Sequence, residues 1–210
     1  MIRVLVADDH AVVRAGIKQI IAAAGDMRVE GEAANAADLL ARVTAESWDV
    51  LVMDLAMPGA AGLELLEDVR RLRQRLPILV LTIHHEEPYA VRALSAGASG
   101  FLNKASAPEE LVTAIRTIHE RRRYVSPAVA ELLASHVDQA SPKLPHAALS
   151  NREYQVLCLI ASGQSLSDIA GTLALSSKTV STFRARILKK LGLRHNAALT
   201  RYALKHGLVE

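Results

Sequence analysis

Two rhythms of apolar positions divide the chain. Over the first 120 residues, short apolar runs alternate with amphipathic stretches. Ile2-Arg3-Val4-Leu5-Val6-Ala7 reads as a strand that ends at Asp8-Asp9. Residues 28–33, 49–54, 77–82 and 99–103 repeat that pattern, the last of them briefly. Between these runs, residues 11–24, 35–46, 62–74 and 87–96 space their apolar positions for helices, with Gly25 and Gly97 closing the first and last. Val50-Leu51-Val52-Met53 is apolar throughout, as a parallel strand covered on both faces should be. Ser106 and Glu109 stand at capping-box spacing with Pro108 in the first turn, which predicts a fifth helix. Alternation with short loops predicts (βα)5, a parallel sheet with helices on both faces.

Past residue 120 the strand rhythm disappears. Ser126-Pro127 opens a short helix to about Val137, and residues 138–148 carry Pro142 and Pro145 with little periodicity, which marks a flexible joint. The last stretch is helical only. Ser150 and Glu153 form a capping box for a helix that stops near Gly163, and Ser165 opens a second helix to about Leu173. Ser176 caps a third, which runs to Leu191 before Gly192, and a fourth covers about 195–206. The expected organisation is an α/β domain over 1–122, a connector with a short helix over 123–147, and a small all-α four-helix domain over 148–210.

Composition narrows the class. The chain has 210 residues, 50% hydrophobic and 22% charged, which excludes a disordered tail. No run of 18 apolar residues appears, and Met1-Ile2-Arg3-Val4 does not begin a signal peptide, so no membrane partner and a cytoplasmic protein are expected. A single cysteine, Cys158, excludes a disulfide framework. The net charge of +3 says little until it is divided. Residues 1–120 hold 12 Lys/Arg against 17 Asp/Glu, a net of −5, whereas residues 149–210 hold 9 against 3, a net of +6. An acidic half joined to a basic half points to two domains with different partners.

In an open α/β sheet, ligands bind beyond the carboxyl ends of the strands. That edge collects Asp8 and Asp9 after the first strand, Asp54 after the third, Thr82 after the fourth and Lys104 after the fifth. Carboxylates gathered at one point repel and need a cation, and all-oxygen ligation with open positions suits Mg²⁺. A hydroxyl and an ammonium beside them suit a phosphoryl group. Capping of strand ends accounts for any one of these residues, but poorly for the whole set at one edge.

In the basic half, residues 176–191 form a two-sided helix at about 100° per residue. Val180, Phe183, Ile187, Leu188 and Leu191 share one arc. Lys178, Thr182, Ala185, Arg186 and Lys189 lie opposite, with Ser181 at the edge. Cations for phosphates and small or hydroxyl side chains for close approach suit a helix laid in a major groove. A solvated basic face would look the same in isolation. The short helix and tight turn before it, Leu173-Ala174-Leu175-Ser176, complete a helix-turn-helix.

Asp8-Asp9-His10, the Asp54-Leu55-Ala56-Met57-Pro58 turn with Gly62, Thr82 and Lys104 together resemble the receiver domain of two-component response regulators. The resemblance implies a flavodoxin-like fold in which Asp54 accepts a phosphoryl group from a sensor histidine kinase. It also implies Mg²⁺ held by Asp8, Asp9, Asp54 and the backbone carbonyl of Ala56. Thr82 and Lys104 would contact the phosphoryl group. Phe101 occupies the family's aromatic switch position, where either a packing switch or a plain buried side chain fits. Ile83 stands where the family usually has a small residue, and Ala105 where it commonly has proline.

Leu149-Ser150-Asn151-Arg152-Glu153, Ile169-Ala170, Lys178-Thr179-Val180 and Lys190-Leu191-Gly192 resemble the LuxR-type DNA-binding domain. The whole chain is similar to NarL/FixJ-type response regulators, and residues 179–186 to the GacA/EvgA-like branch. That implies a homodimer on double-stranded promoter DNA, with Lys178, Thr179, Ser181, Thr182, Arg184, Ala185, Arg186 and Lys189 as contacts. Arg184 falls on the apolar side of the wheel, so its stem is expected to pack and its head to reach toward phosphate. It also implies a regulator rather than an enzyme: a haloacid-type aspartyl-phosphate hydrolase needs a second Asp where Ala56 stands. A phosphorylation-independent DNA-binding regulator with a vestigial receiver is the alternative. Among the remaining features, His84-His85-Glu86-Glu87 suits a plain loop better than a metal site. Cys158 suits a core, and Arg121-Arg122-Arg123 a solvated helix end or an interface. Ala90, Val91 and Leu94 lie on the face by which many relatives dimerise.

Overall fold

The computed structural model describes residues 1–55, 57, 62–82, 86–126, 129–131, 145–173 and 175–209, with 86–89 and 147 described by backbone alone. The chain forms two compact units, Met1–Ser135 and His136–Glu210. In the first, β1 (Ile2–Ala7), β2 (Met27–Ala33), β3 (Val50–Asp54), β4 (Ile78–Thr82) and β5 (Gly100–Asn103) form one sheet in the order β2-β1-β3-β4-β5. Every pairing is parallel. The crossovers are α1 (Ala11–Ala23), α2 (Ala36–Ala45), α3 (Gly62–Leu72) and α4 (Glu86–Ser95), and α5 (Ala107–His119) follows β5.

Alternation along the strands splits the core into two layers. Val4, Val6, Val50, Val52, Leu79, Leu81 and Leu102 face α1 and α5, meeting Ile17, Ile21, Leu111, Ile115 and Ile118. Leu5, Leu51, Met53, Ile78 and Val80 are also essentially inaccessible, which requires a second cover and explains why β3 and β4 read as continuous apolar runs. Gly31 of β2 leaves room for a neighbour: a Cβ there would clash with Trp48 Cη2 and meet Leu5 Cδ1 at 2.9 Å.

The capping box expected at Ser106 does not form. Lys104–Ser106 is already a turn of 3-10 helix, so Ser106 sits at φ −86°, ψ −6° and makes no side-chain cap. An N-cap needs an extended backbone. Asn103 has one, and its side chain accepts from Ala105 N at 2.9 Å instead. Beyond α5, Tyr124 lies along β5: Tyr124 N donates to Ser99 O and Phe101 N to Tyr124 O, both at 3.1 Å. Residues assigned from sequence to the connector therefore begin against this unit, and Val129 is fully buried. The short helix expected from Ser126 is described only at 129–131, and the rest of it, with Pro142, lies outside the described residues.

The second unit contains α6 (Asn151–Ala161), α7 (Leu166–Thr172), α8 (Ser177–Leu191) and α9 (Asn196–Lys205), after a 3-10 turn at Pro145–Ala148. Ser150 with Glu153 and Ser165 with Asp168 form complete capping boxes. Ser176 caps α8, and Gly192, at φ +66°, closes it in the left-handed conformation. α6 is buried nearly all round, Cys158 included, so α7, α8 and α9 pack about it. Polar groups fix the angles. Arg152 Nη2 donates to Leu173 O at 3.0 Å at the end of α7. Glu153, 3% exposed, accepts from Ser150 N at 2.7 Å and from Lys190 Nζ of α8 at 2.6 Å.

Candidate functional site

The strand order reverses between β1 and β3, so the crevice expected for a ligand opens at their carboxyl ends. β1 delivers Asp8 and Asp9, β3 delivers Asp54, β4 delivers Thr82, and Lys104 follows β5. The structure brings these residues to one edge. Asp8 and Asp54 are 1% and 3% exposed, and Thr82 is fully buried. Lys104 Nζ lies 2.7 Å from Oδ2 of both Asp8 and Asp54. Burial lowers the Lys104 pKa, but hydrogen bonds and attraction from Asp54 and Asp8 outweigh it and hold the ammonium above its ordinary value.

One ammonium does not balance three carboxylates. Asp8, Asp9, His10 and Asp54 each bring a ligand atom within 4.8 Å of the others. Asp8 Oδ2 is an inaccessible oxygen that meets the Lys104 ammonium at 2.7 Å, and Asp9 Oδ1 is another that meets His10 Nδ1 at 2.8 Å. Lone pairs left over on hard oxygen donors, with an excess of negative charge, fit a divalent cation such as Mg²⁺.

Two neighbours escaped the sequence reading as site residues. His10 Nδ1 lies 2.8 Å from Asp9 Oδ1, and His10 N donates to Asp8 Oδ1 at 2.8 Å. Arg14, one turn into α1, reaches back to the loop: its Nη1 donates to Asp8 O at 2.7 Å and its Nε to Glu32 Oε2 at 3.2 Å. Lys18 Nζ holds the other Glu32 oxygen at 2.8 Å. The Lys18 hydrogen bond, with help from Arg14 and against partial burial, keeps the Glu32 carboxyl below its usual pKa. The signal for Arg14 was its helical distance from Asp9, which turns it toward the same loop. Phe101 is 1% exposed within β5. Ala56, Pro58, Ile83, His84 and His85 lie outside the described residues.

In the second unit, α8 buries Val180 and Ile187 and exposes Lys178, Ser181, Thr182, Ala185, Arg186 and Lys189. The predicted polar face is therefore presented as one surface. Two expected contacts are placed differently. The Thr179 hydroxyl lies 2.8 Å from Ser176 Oγ, inside the cap. Arg184 is half-buried, and its Nε donates to Asn196 Oδ1 of α9. The Arg184 stem packs, and a carboxamide one helix away takes part of its donor set. Thr182 also bonds internally, to Lys178 O at 3.0 Å.

Comparison with known proteins finds a family for each unit. The response regulator receiver domain family matches residues 4–116, and the bacterial regulatory proteins, luxR family, matches residues 147–203. Response regulator UvrY of Escherichia coli O6:H1 is 39% identical over 209 residues, covering 99% of this chain and 96% of UvrY. Response regulator GacA of Pseudomonas protegens is 38% identical over 210 residues, covering 100% of this chain and 99% of GacA. A solved structure of the RcsB response regulator of Salmonella typhimurium matches with a TM-score of 0.71 at 29% identity, over 96% of each chain. An RcsB–DNA complex matches with a TM-score of 0.61 at 29% identity, again over 96% of each. No helix among the described residues is long and apolar enough to cross a membrane.

Proposed function

Because the chain belongs to the two-component response regulators that join a receiver domain to a LuxR-type DNA-binding domain, we propose that Asp54 is its phosphoacceptor. The observation that carries this is the pairing of Lys104 Nζ with Asp54 and Asp8 at 2.7 Å inside a surplus of carboxylate. In the transfer, an Asp54 carboxylate oxygen attacks phosphorus, the bond from phosphorus to the kinase histidine nitrogen breaks, and that nitrogen keeps the electron pair. Asp8, Asp9, Asp54 and the Ala56 carbonyl would hold Mg²⁺. When bound, Mg²⁺ supplies positive charge to the phosphoryl oxygens. Lys104 exchanges its carboxylate partner for a phosphoryl oxygen, and Thr82 offers its hydroxyl to another. Phe101, buried and unable to donate a hydrogen bond, follows Thr82 through packing.

The output is DNA binding by a homodimer. Lys178, Arg186 and Lys189 contact phosphates, while Ser181, Thr182 and Ala185 approach base edges. Thr179 and Arg184 support the helix ends and add phosphate contacts. We place the receiver at 1–122, the connector at 123–147 and the DNA-binding domain at 148–210. The protein acts in the cytoplasm with a sensor histidine kinase, as a regulator and not as an enzyme with a released product.

Incubation with phosphoramidate and Mg²⁺, followed by intact-mass measurement, tests the switch. One added phosphoryl group is expected, and none in Asp54→Asn. No adduct in the wild-type chain from phosphoramidate or from a kinase would leave the phosphorylation-independent alternative. For the output, Lys178→Ala or Lys189→Ala should flatten the salt dependence of duplex binding by about one unit of slope per lost phosphate contact.

A further inference from the structure

The receiver pairs most of its arginines with carboxylates. Arg3 and Arg28 share Glu30, Arg14 meets Glu32, Arg42 meets Asp38, Arg71 meets Asp68, Arg116 meets Asp26, and Arg122 meets Glu120. At the edge of the sheet opposite the acidic site, that habit fails. Among the described residues, Arg70, Arg73, Arg75, Arg121 and Arg123 have no carboxylate partner. Arg70 and Arg73 donate to backbone carbonyls of Leu76 and Gly97 and of Val43 and Thr44. Arg121 donates to Arg75 O and sits at φ +65°. The Arg75 and Arg123 guanidiniums have no hydrogen-bond partner among the described residues, and both residues are exposed. Burial and the nearby Arg121 charge lower the Arg70 pKa, as expected where like charges gather with no counter-ion.

These cations border two depressions that share Arg121. One, of about 480 Å³, is lined by Trp48, Arg73, Arg75 and His119. The other, of about 170 Å³, is lined by Gly97, Ser99, Arg122 and Arg123. The carboxylates at the rim face elsewhere: Asp49 Oδ2 accepts from Arg3 N at 2.8 Å, and Glu46 lies 3.8 Å from Arg3 Nη2. So a region whose net charge is −5 over residues 1–120 keeps an uncompensated cationic corner.

We propose that this corner, centred on Arg75, Arg121 and Arg123, contacts the backbone phosphates of double-stranded DNA. It rests on the DNA-binding function above. An exposed row of guanidiniums that spans two open depressions suits a repeating polyanion better than one enclosed small anion. The row also ends at Arg123, from which the same chain continues into the DNA-binding unit. DNA held by that unit is present at high effective concentration for its tether partner. Guanidinium is the suitable cation, since it binds phosphate through paired donors.

The test is fluorescence anisotropy of the full chain on a mixed-sequence duplex of about 40 base pairs, from low to high salt. Arg75→Glu with Arg123→Glu should reduce the salt slope by about two units, near one per lost phosphate contact. It should weaken low-salt affinity at least tenfold, with the circular dichroism melt unchanged. Arg75→Lys with Arg123→Lys should restore most of the slope. An unchanged slope in the Glu variant, while Lys189→Ala still flattens it, overturns the proposal and leaves the DNA-binding function standing. A wild-type chain that does not bind the duplex overturns both. If pyrophosphate binding is lost in the Glu variant and duplex binding is not, the corner serves a small anion and the proposal fails.

Discussion

A carboxylate that is 3% exposed has to be matched, and Glu153 is matched by the Ser150 amide and the Lys190 ammonium. Burial pushes its pKa up, but the Lys190 and Ser150 hydrogen bonds pull harder, and the net is a value below the ordinary one. The sign follows directly. Its stabilisation is complete above the unfolded carboxyl pKa and is lost as pH falls through the lower folded value. Glu153→Gln should therefore destabilise the helical unit by about 1–3 kcal/mol at neutral pH and flatten its acid unfolding curve, followed by far-UV circular dichroism. Lys104 runs the other way, because its pKa is raised: its contribution is whole below its unfolded value and fades only in strong alkali. Arg14 bears on metal affinity. Removing its bond to Asp8 O frees the acidic loop, so Arg14→Ala should weaken Mg²⁺ binding in calorimetric titration about tenfold, with Arg14→Lys intermediate. Asp8, Asp9, Asp54, Thr82 and Lys104 were legible in the sequence because their positions follow from strand ends. His10 and Arg14 were not, because their roles depend on the direction a side chain takes once α1 is packed. Arg184 was half legible: the wheel put its stem on the packed side, but Asn196 comes from another helix.

At the scale of elements, strands were easier to read than caps. The sequence pattern marked every strand within a residue of its observed bounds, most plainly β3 and β4, which are buried throughout and have almost no polar positions to blur them. Ser106 misled because capping-box spacing does not set the backbone of the cap residue; the 3-10 turn from Lys104 does. Where the cap residue itself is extended, as at Ser150, the same spacing gives a complete capping box. Ser176→Ala should cost about 1 kcal/mol through the lost cap and fray the first turn of α8, which chemical-shift or exchange measurements at Thr179 N would detect. Gly31 is not legible in the sequence, since a lone glycine in a strand says nothing of what leans on it. Gly31→Ala would press on Trp48 and Leu5 and should destabilise the sheet unit by about 1–3 kcal/mol. Trp48 is the single tryptophan, so its fluorescence reports that unit alone.

For the whole molecule, two compact units with separate cores give separate responses. Mg²⁺ should raise the melting of the unit that contains Trp48, by about 2.7 kcal/mol at a hundredfold excess over Kd, and leave the helical unit unmoved in calorimetry. Equal shifts in both would mean that the metal binds elsewhere. The division itself was plain in the charge split between the halves, but the place where one unit ends was not. Tyr124 follows three arginines and looks like the start of a tether, yet its backbone is laced to Ser99 and Phe101. β5 thus acts as a rack with a load at each side: Asn103 and Lys104 at its tip, and the outgoing chain along its flank. A slide of that strand by a fraction of an ångström, made to follow a new partner for Lys104, would be felt as tension on the tether without any helix having to turn.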